Sequence, residues 1–316
     1  MLLDTLIQQI VNGVTLGGMY ALIALGYTLV YGIMLMINFA HSEMFMGGAY
    51  VGLFTMEALI NPRLVGAGTV QFFTKSGLGL VLLFAIVFLV AGIAIGVVGI
   101  ITERFAYRPL RNAPRLAPLI SAIGVSIFLQ NAVLLWIDSK ALPFPQVFPV
   151  KDLKLYGTAS ISTLQIFILV SVVVLLIVLD TFISKTRVGK AMRATSQDRD
   201  AAGLMGVNIN TVIALAFFIG PALGAVAGIF NGMYYGTVNW NMGFIPGIKS
   251  FTAAVIGGIG NLRGAMLGGF VLGIIESLAA GFLSTGYKDV VAFIILILVL
   301  IFRPGGLLGE SVVEKV

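Results

Sequence analysis

Apolar and polar positions alternate along this chain in blocks, not in the period of a surface helix or a half-buried strand. Nine hydrophobic stretches can be drawn: about Leu6–Val30, Leu35–Ile60, Gly79–Ile101, Leu116–Ile137, Leu164–Ile183, Thr211–Tyr235, Phe251–Ile259, Gly264–Phe282 and Val290–Phe302. Most approach or exceed the roughly 20 residues a helix needs to cross about 30 Å of hydrocarbon. The second is interrupted by Asn38-Phe39-Ala40-His41-Ser42-Glu43. The seventh is too short to cross comfortably, so it is re-entrant or a partial span. The pattern predicts an all-α, polytopic integral membrane bundle of eight or nine transmembrane stretches with broken or re-entrant segments. It is taken as one transmembrane domain over residues 1–316, with a cytoplasmic segment at 184–210.

That segment, SKTRVGKAMRATSQDRDAAGLMGVNIN, is one of two charge-dense blocks. It holds five of the 19 Lys and Arg residues, namely Lys185, Arg187, Lys190, Arg193 and Arg199, and turns acidic at Asp198 and Asp200. Thr195 and Asp198 have capping-box spacing, and Gly206 is placed to end a helix in the left-handed conformation. A short helix of about two and a half turns is therefore expected, with Ala201, Leu204 and Met205 as a small apolar face and Ala202 beside them. A helix of this length is unstable alone and needs something to pack against. Two readings stand: a handle gripped by another protein, or a solvated loop whose charge sets topology.

Composition sharpens the class. The chain is 59% hydrophobic and 10% charged, with a mean hydropathy of +1.06. Its +6 charge sits in loops, which points to orientation in a membrane and not to nucleic acid. The absence of Cys excludes disulfides and thiol chemistry, and a single His excludes a multi-histidine metal site. The apolar start, with Asp4 and no early Lys or Arg, runs to about Met34, too far for a signal peptide, and is expected to be a retained span. Glu103–Arg115 carries Arg104, Arg108, Arg111 and Arg115; with 184–210 it should lie on the cytoplasmic side. The loops Asn61–Ser76 and Asp138–Ser162 carry fewer basic residues and should be external. With nine spans the N-terminus is outside; with eight its side is open.

Glycines recur at spacings of four: Gly13/Gly17, Gly92/Gly96, Gly220/Gly224/Gly228, Gly264/Gly268 and Gly269/Gly273. On helices this lays bare backbone along one face and predicts close helix contacts. Ionisable residues inside apolar stretches are costly and face a cavity or a partner. They are His41, Glu43, Glu57, Asp180, Lys249, Arg263 and Glu276. Asn38, His41, Ser42 and Glu43 cluster in the broken span, where they either fix a kink or touch solute. Gly243–Ser250 has the spacing GxxxGxKS, which is not a phosphate loop. With no such loop elsewhere, any ATP hydrolysis belongs to another polypeptide. No catalytic constellation is present. Glu43, Glu57 or Glu276 acting as a proton relay in a self-sufficient carrier is an alternative, although such a carrier has no need of the 184–210 segment.

Several ordered motifs carry a family resemblance: Asn12–Tyr27 (NGVTLGGMYALIALGY), Ile37–His41, Glu103–Arg111, Leu119–Asn131, Phe251–Gly260, Tyr287–Val291 and Val313–Val316. Together they resemble the branched-chain amino acid ABC transporter permeases of LivH type, over nearly the whole chain. Ser42 departs from the glycine usual after the histidine. The resemblance implies an importer subunit in the bacterial inner membrane, forming half of a pathway for Leu, Ile or Val. The related alternative is a permease for urea or short amides. Implied partners are a LivM-like second permease, two ATPase subunits (LivG/LivF-like) carrying ATP and Mg, a periplasmic substrate-binding protein and membrane lipid; this chain itself would bind no cofactor. Asp200-Ala201-Ala202-x-x-x-Gly206 resembles the EAA coupling loop that docks on an ATPase, without the downstream Ile-x-Leu-Pro. On that analogy Arg193, Asp198, Asp200, Ala201, Ala202, Leu204, Met205 and Gly206 couple to the ATPase. Asn38, His41, Ser42 and Glu43 are the residues expected along the substrate pathway.

Overall fold

The computed structural model describes residues 2–111, 113–114, 116–147, 149–303 and 305–309. Arg115 of the first basic loop and the Val313–Val316 motif lie outside the described residues. Thirteen α-helices dominate among the described residues: α1 Leu2–Met34, α2 His41–Ile60, α3 Pro62–Val65, α4 Ala67–Lys75, α5 Gly77–Thr102, α6 Leu116–Trp136, α7 Thr163–Lys185, α8 Arg187–Gln197, α9 Arg199–Leu204, α10 Ile209–Tyr235, α11 Phe244–Gly257, α12 Leu262–Phe282 and α13 Lys288–Phe302. Seven stretches are long and apolar enough to cross a membrane: α1, α5 with its continuation to Leu110, α6, α7, α10, α12 and residues 285–302. The expected class, a polytopic helical membrane protein, holds. α2 fills the broken second stretch, and α11 is the short seventh one.

The spans form for the reason the sequence suggests: long apolar runs must satisfy every backbone group internally, and a helix does so. Their ends are capped. Ser162 and Gln165 make a reciprocal capping box at the start of α7, at 3.1 and 2.9 Å. Asn261 accepts from Gly264 N at the start of α12, and Ser76 accepts from Gly79 N at the start of α5. Past Thr102, α5 continues as a π-helical turn, Glu103–Tyr107, and a 3-10 turn, Arg108–Leu110. There Glu103 is buried and pairs with Arg111.

The contacts divide the described residues of the chain into two compact units. The first takes them from Met1–Asn38, Val150–Ala216 and Ile245–Val316. Its core is α1 lying along α12. A methyl added at Gly13 would stand 2.6 Å from Ile274 Cα, and one at Gly17 would stand 2.7 Å from Phe270 Cα. The predicted glycine stripes therefore bring two backbones together, where dispersion and Cα–H contacts replace a hydrophobic drive that lipid cannot supply. The loop that precedes α7 folds as a hairpin that periodicity did not announce: β2 Asp152–Tyr156 pairs antiparallel with β3 Ala159–Ser162, with Leu153 opposite Ile161. Gly157 turns it at φ +56°. Thr158 Oγ1 donates to Asp4 and Ser160 N donates to Gln8 Oε1, which ties the hairpin to the start of α1.

The second unit takes the described residues of Phe39–Pro149 and Phe217–Phe244. Here α2 packs on α5 and α6 and, through glycines, on the later turns of α10. Gly48 faces Ala225, Gly52 faces Ile229, and Gly228 abuts Phe45 O. Phe88 meets Phe230 edge to face at 5.2 Å, and Tyr107 packs on Phe217 at 5.5 Å. Pro221 sits inside α10. Having no N–H, it takes the helical donor away from Phe217 O. Gly99 of α5 lies against that carbonyl, and a methyl there would also stand 2.7 Å from Pro221 Cγ. In this unit β1 Leu142–Pro143 pairs with β4 Thr237–Val238.

Candidate functional site

Two places hold the residues singled out in the sequence. The first is the segment after α7. It folds as two helices and not one, which corrects the expected capping. Thr195 lies inside α8, where its hydroxyl donates to Ala191 O at 2.8 Å, so it caps nothing. The N-caps are Thr186 for α8, accepting from Gly189 N, and Asp198 for α9, accepting from Ala201 N at 2.9 Å. A Ser, Thr or Asp just outside each helix supplies an acceptor for an orphan amide, and Asp198 does so with a charge matched to the helix dipole. Gly206 adopts φ +86°, the left-handed conformation predicted for it.

Within this segment Ala202 turns inward and is buried, whereas Leu204 is 89% and Met205 85% exposed. Ala201, Asp198, Asp200 and Gly206 are exposed as well. The small apolar face expected of the helix thus exists and looks away from its own chain. Two arginines tie the segment down. Arg193 donates to Ile183 O and Ser184 O at the end of α7. Arg199 donates through Nε to Ile33 O at 2.8 Å, and through Nη2 to the same oxygen, at the end of α1. The last carbonyls of a helix lack intrahelical donors and carry the negative end of its dipole, so a guanidinium suits both. Charge marked both arginines as topogenic and the family analogy marked Arg193 for ATPase coupling; their bonds to the ends of α7 and α1 left no signal in the pattern.

The second place is the break between α1 and α2. Leu35 has φ +52°, the positive value among the non-glycine described residues, and residues 35–38 are in no regular element. Asn38, His41, Ser42 and Glu43 are all buried. Ser42 Oγ donates to Phe39 O at 2.7 Å, which holds the first turn of α2. Glu43 Oε1 accepts from Ser42 Oγ at 3.4 Å and from Ser126 Oγ of α6 at 3.2 Å, while Oε2 has no hydrogen-bond partner among the described residues. Gly224 lies beside the His41 ring, so a methyl there would come 3.3 Å from Cε1. Ser126 was not foreseen, since a serine in an apolar span gives no signal of its partner.

Four of the remaining ionisable candidates, Lys249, Glu276, Asp180 and Arg263, are paired. Lys249 Nζ lies 2.6 Å from Glu276 Oε1 and 2.5 Å from Asp289 Oδ1, and Tyr20 OH donates to Glu276 Oε2 at 2.9 Å. Lys249 and Glu276 are each about 3% exposed at the side chain, so the pair pins α11, α12, α13 and α1 together. This also disposes of the phosphate-loop likeness: Gly243–Ser250 runs into helix α11, with its lysine spent on two carboxylates. Asp180 meets Arg263 at 3.2 Å on an exposed face, and Glu57 is exposed near the end of α2. No cluster of three His, Cys, Asp or Glu side chains suited to a metal occurs among the described residues.

Comparison with known proteins agrees with this architecture. Residues 9–300 match the family described as branched-chain amino acid transport system / permease component. The chain is 48% identical over 315 residues to the high-affinity branched-chain amino acid transport system permease protein BraD of Pseudomonas aeruginosa, covering 98% of each. It is 47% identical over 313 residues to the corresponding permease protein LivH of Salmonella typhimurium, covering 98% of this chain and 97% of that one. The figures for LivH of Escherichia coli are the same, 47% over 313 residues with 98% and 97% covered. No solved structure matches. With a helical membrane fold and a match along nearly its whole length, this chain belongs to the branched-chain amino acid permease family.

Proposed function

We propose that the chain is the LivH-type permease subunit of an ATP-driven, binding-protein-dependent importer for Leu, Ile and Val in the bacterial inner membrane. It is a transport subunit, not an enzyme. Near-identical length and close to half identity with BraD and LivH support the substrate class. The single observation that carries the mechanism is the exposed Leu204-Met205 pair on a capped, anchored helix. Large apolar side chains held out of a folded segment toward water mark a protein contact. The partner is an ATPase subunit, which carries the ATP and Mg. A second, LivM-like permease completes the pathway, and a periplasmic binding protein delivers the amino acid.

Closure of two ATPase subunits moves the two coupling segments as rigid bodies, and the tightly packed spans turn that motion into a change of the side on which the pathway opens. Asn38, His41, Ser42 and Glu43 supply the polar contacts that a zwitterion needs along an otherwise apolar route. Glu43 suits this role through its open oxygen, a place for an ammonium group beside two hydroxyls.

The test is reconstitution of the complete complex in proteoliposomes, with labelled leucine competed by unlabelled leucine or urea. ATP-dependent leucine uptake that urea leaves unchanged supports the reading. Uptake of urea in preference to leucine moves the chain to the amide class. Uptake by this chain alone, driven by a proton gradient, replaces the importer with a carrier.

A further inference from the structure

We infer that Arg199 is a positioning residue that carries the movement of the ATPase-contacting helix into α1, and that α1 is thereby a driven element although it is not joined to that helix in sequence. The inference rests on the importer reading above. The segment 187–204 is covalently attached to α7 on one side and α10 on the other, so those two spans receive force through the chain itself. α1 has no such link. It packs on α7 and α8, and among the described residues one guanidinium bonds it to α9 directly: Arg199 Nε and Nη2 both donate to Ile33 O.

Three features make this contact suited to transmission. Arg199 is the first residue of α9, so its backbone moves with the helix that Asp198 caps and that exposes Leu204 and Met205. A planar fork gripping one oxygen fixes direction better than a lysine could. The acceptor lies two residues before Leu35, whose positive φ opens the break leading to Asn38 and His41. On the other side α1 is backed along its length by α12, glycine against backbone, so it responds as a rod and not as a hinge. Arg193 makes the comparable bonds to α7, but α7 is already joined to α8, so losing them removes no connection.

The experiment uses the reconstituted complex and reads leucine transported per ATP hydrolysed. Arg199→Ala is expected to lower that ratio at least five-fold, with the ATPase subunits still co-purifying and ATP still hydrolysed. Arg199→Lys should fall between it and the wild type. Because the chain contains no cysteine, Arg199→Cys with Met34→Cys can be bridged by a short bismaleimide. Bridging should restore a substantial part of the ratio lost in the unbridged double variant, which a merely structural role does not predict. A wild-type ratio in Arg199→Ala overturns the inference, as does a bridged variant that stays uncoupled. If Arg199→Ala is not recovered in the membrane, the Arg199→Lys ratio and the bridged pair decide by the same criteria. The wild-type complex is the control for the underlying reading. If it takes up no leucine with ATP, the proposed function fails; if it does and the Arg199 variants match it, only this inference fails.

Discussion

At the scale of single residues, burial separates side chains that hold the protein together from those that meet something else. Leu204 sits at 89% exposure and touches nothing that its own fold needs. Leu204→Asp should therefore change thermal stability by no more than about 0.5 kcal/mol, while the ATPase subunits are lost on purification of the complex. Retained co-purification would remove Leu204 from the contact. Lys249 is the opposite case. Its replacement by Ala leaves the buried Glu276 without its counter-ion, and breaking a buried pair in this way costs about 3–5 kcal/mol. The check is unfolding in detergent. Lys249→Met with Glu276→Gln should lose less than the sum of the single changes, because the second substitution removes the charge that the first left unpaired.

The cluster at 38–43 was legible as a set, since polar residues inside an apolar run must be satisfied by something. Their partners were not. Ser126 reaches Glu43 from another span, and one-dimensional spacing cannot foretell which helix faces which. The same holds for Tyr20 and Asp289 around Lys249. Sequence located the costly groups, and tertiary packing supplied the compensation. If His41→Ala left leucine uptake unchanged in rate and concentration dependence, that histidine would have to be dropped from the pathway.

At the scale of elements, the spans were readable to within a few residues because hydrocarbon imposes a length. The second stretch, expected to break near 38–43, breaks at 35–40. The 184–210 segment was misjudged in detail: Thr195 had the right spacing to start a helix, yet α8, capped by Thr186, already ran through it. Thr195 and Asp198 competed for the same role, and Asp198, whose own backbone is extended, took it. The hairpin at 152–162 was missed because its strands are short and β2 is exposed throughout. Glycine stripes were the most informative pattern. Gly17→Val should force α1 and α12 apart at a cost of at least about 1–3 kcal/mol. Detergent-solubilised protein would show this as a lower melting temperature, and an unchanged one would mean that the helices do not approach as closely as described.

At the scale of the whole molecule, orientation is the property that charge predicted and that α7 makes testable. The hairpin joins its first residue, and α8 follows its last. Its 23 residues rise about 34 Å, enough to cross a bilayer. A single Cys at Lys154 should react with an impermeant maleimide in intact cells, and one at Gln197 only after permeabilisation. The reverse pattern would invert the topology.

Pro221 and Gly99 belong to different spans, yet neither can be judged alone. A side chain at 99 needs room that the ring and the neighbouring oxygen already occupy. Restoring an amide at 221 would straighten the ladder and alter the surface that 99 was shaped to meet. A change at either position alone should therefore disturb this contact, which makes the two a single unit written at two distant addresses.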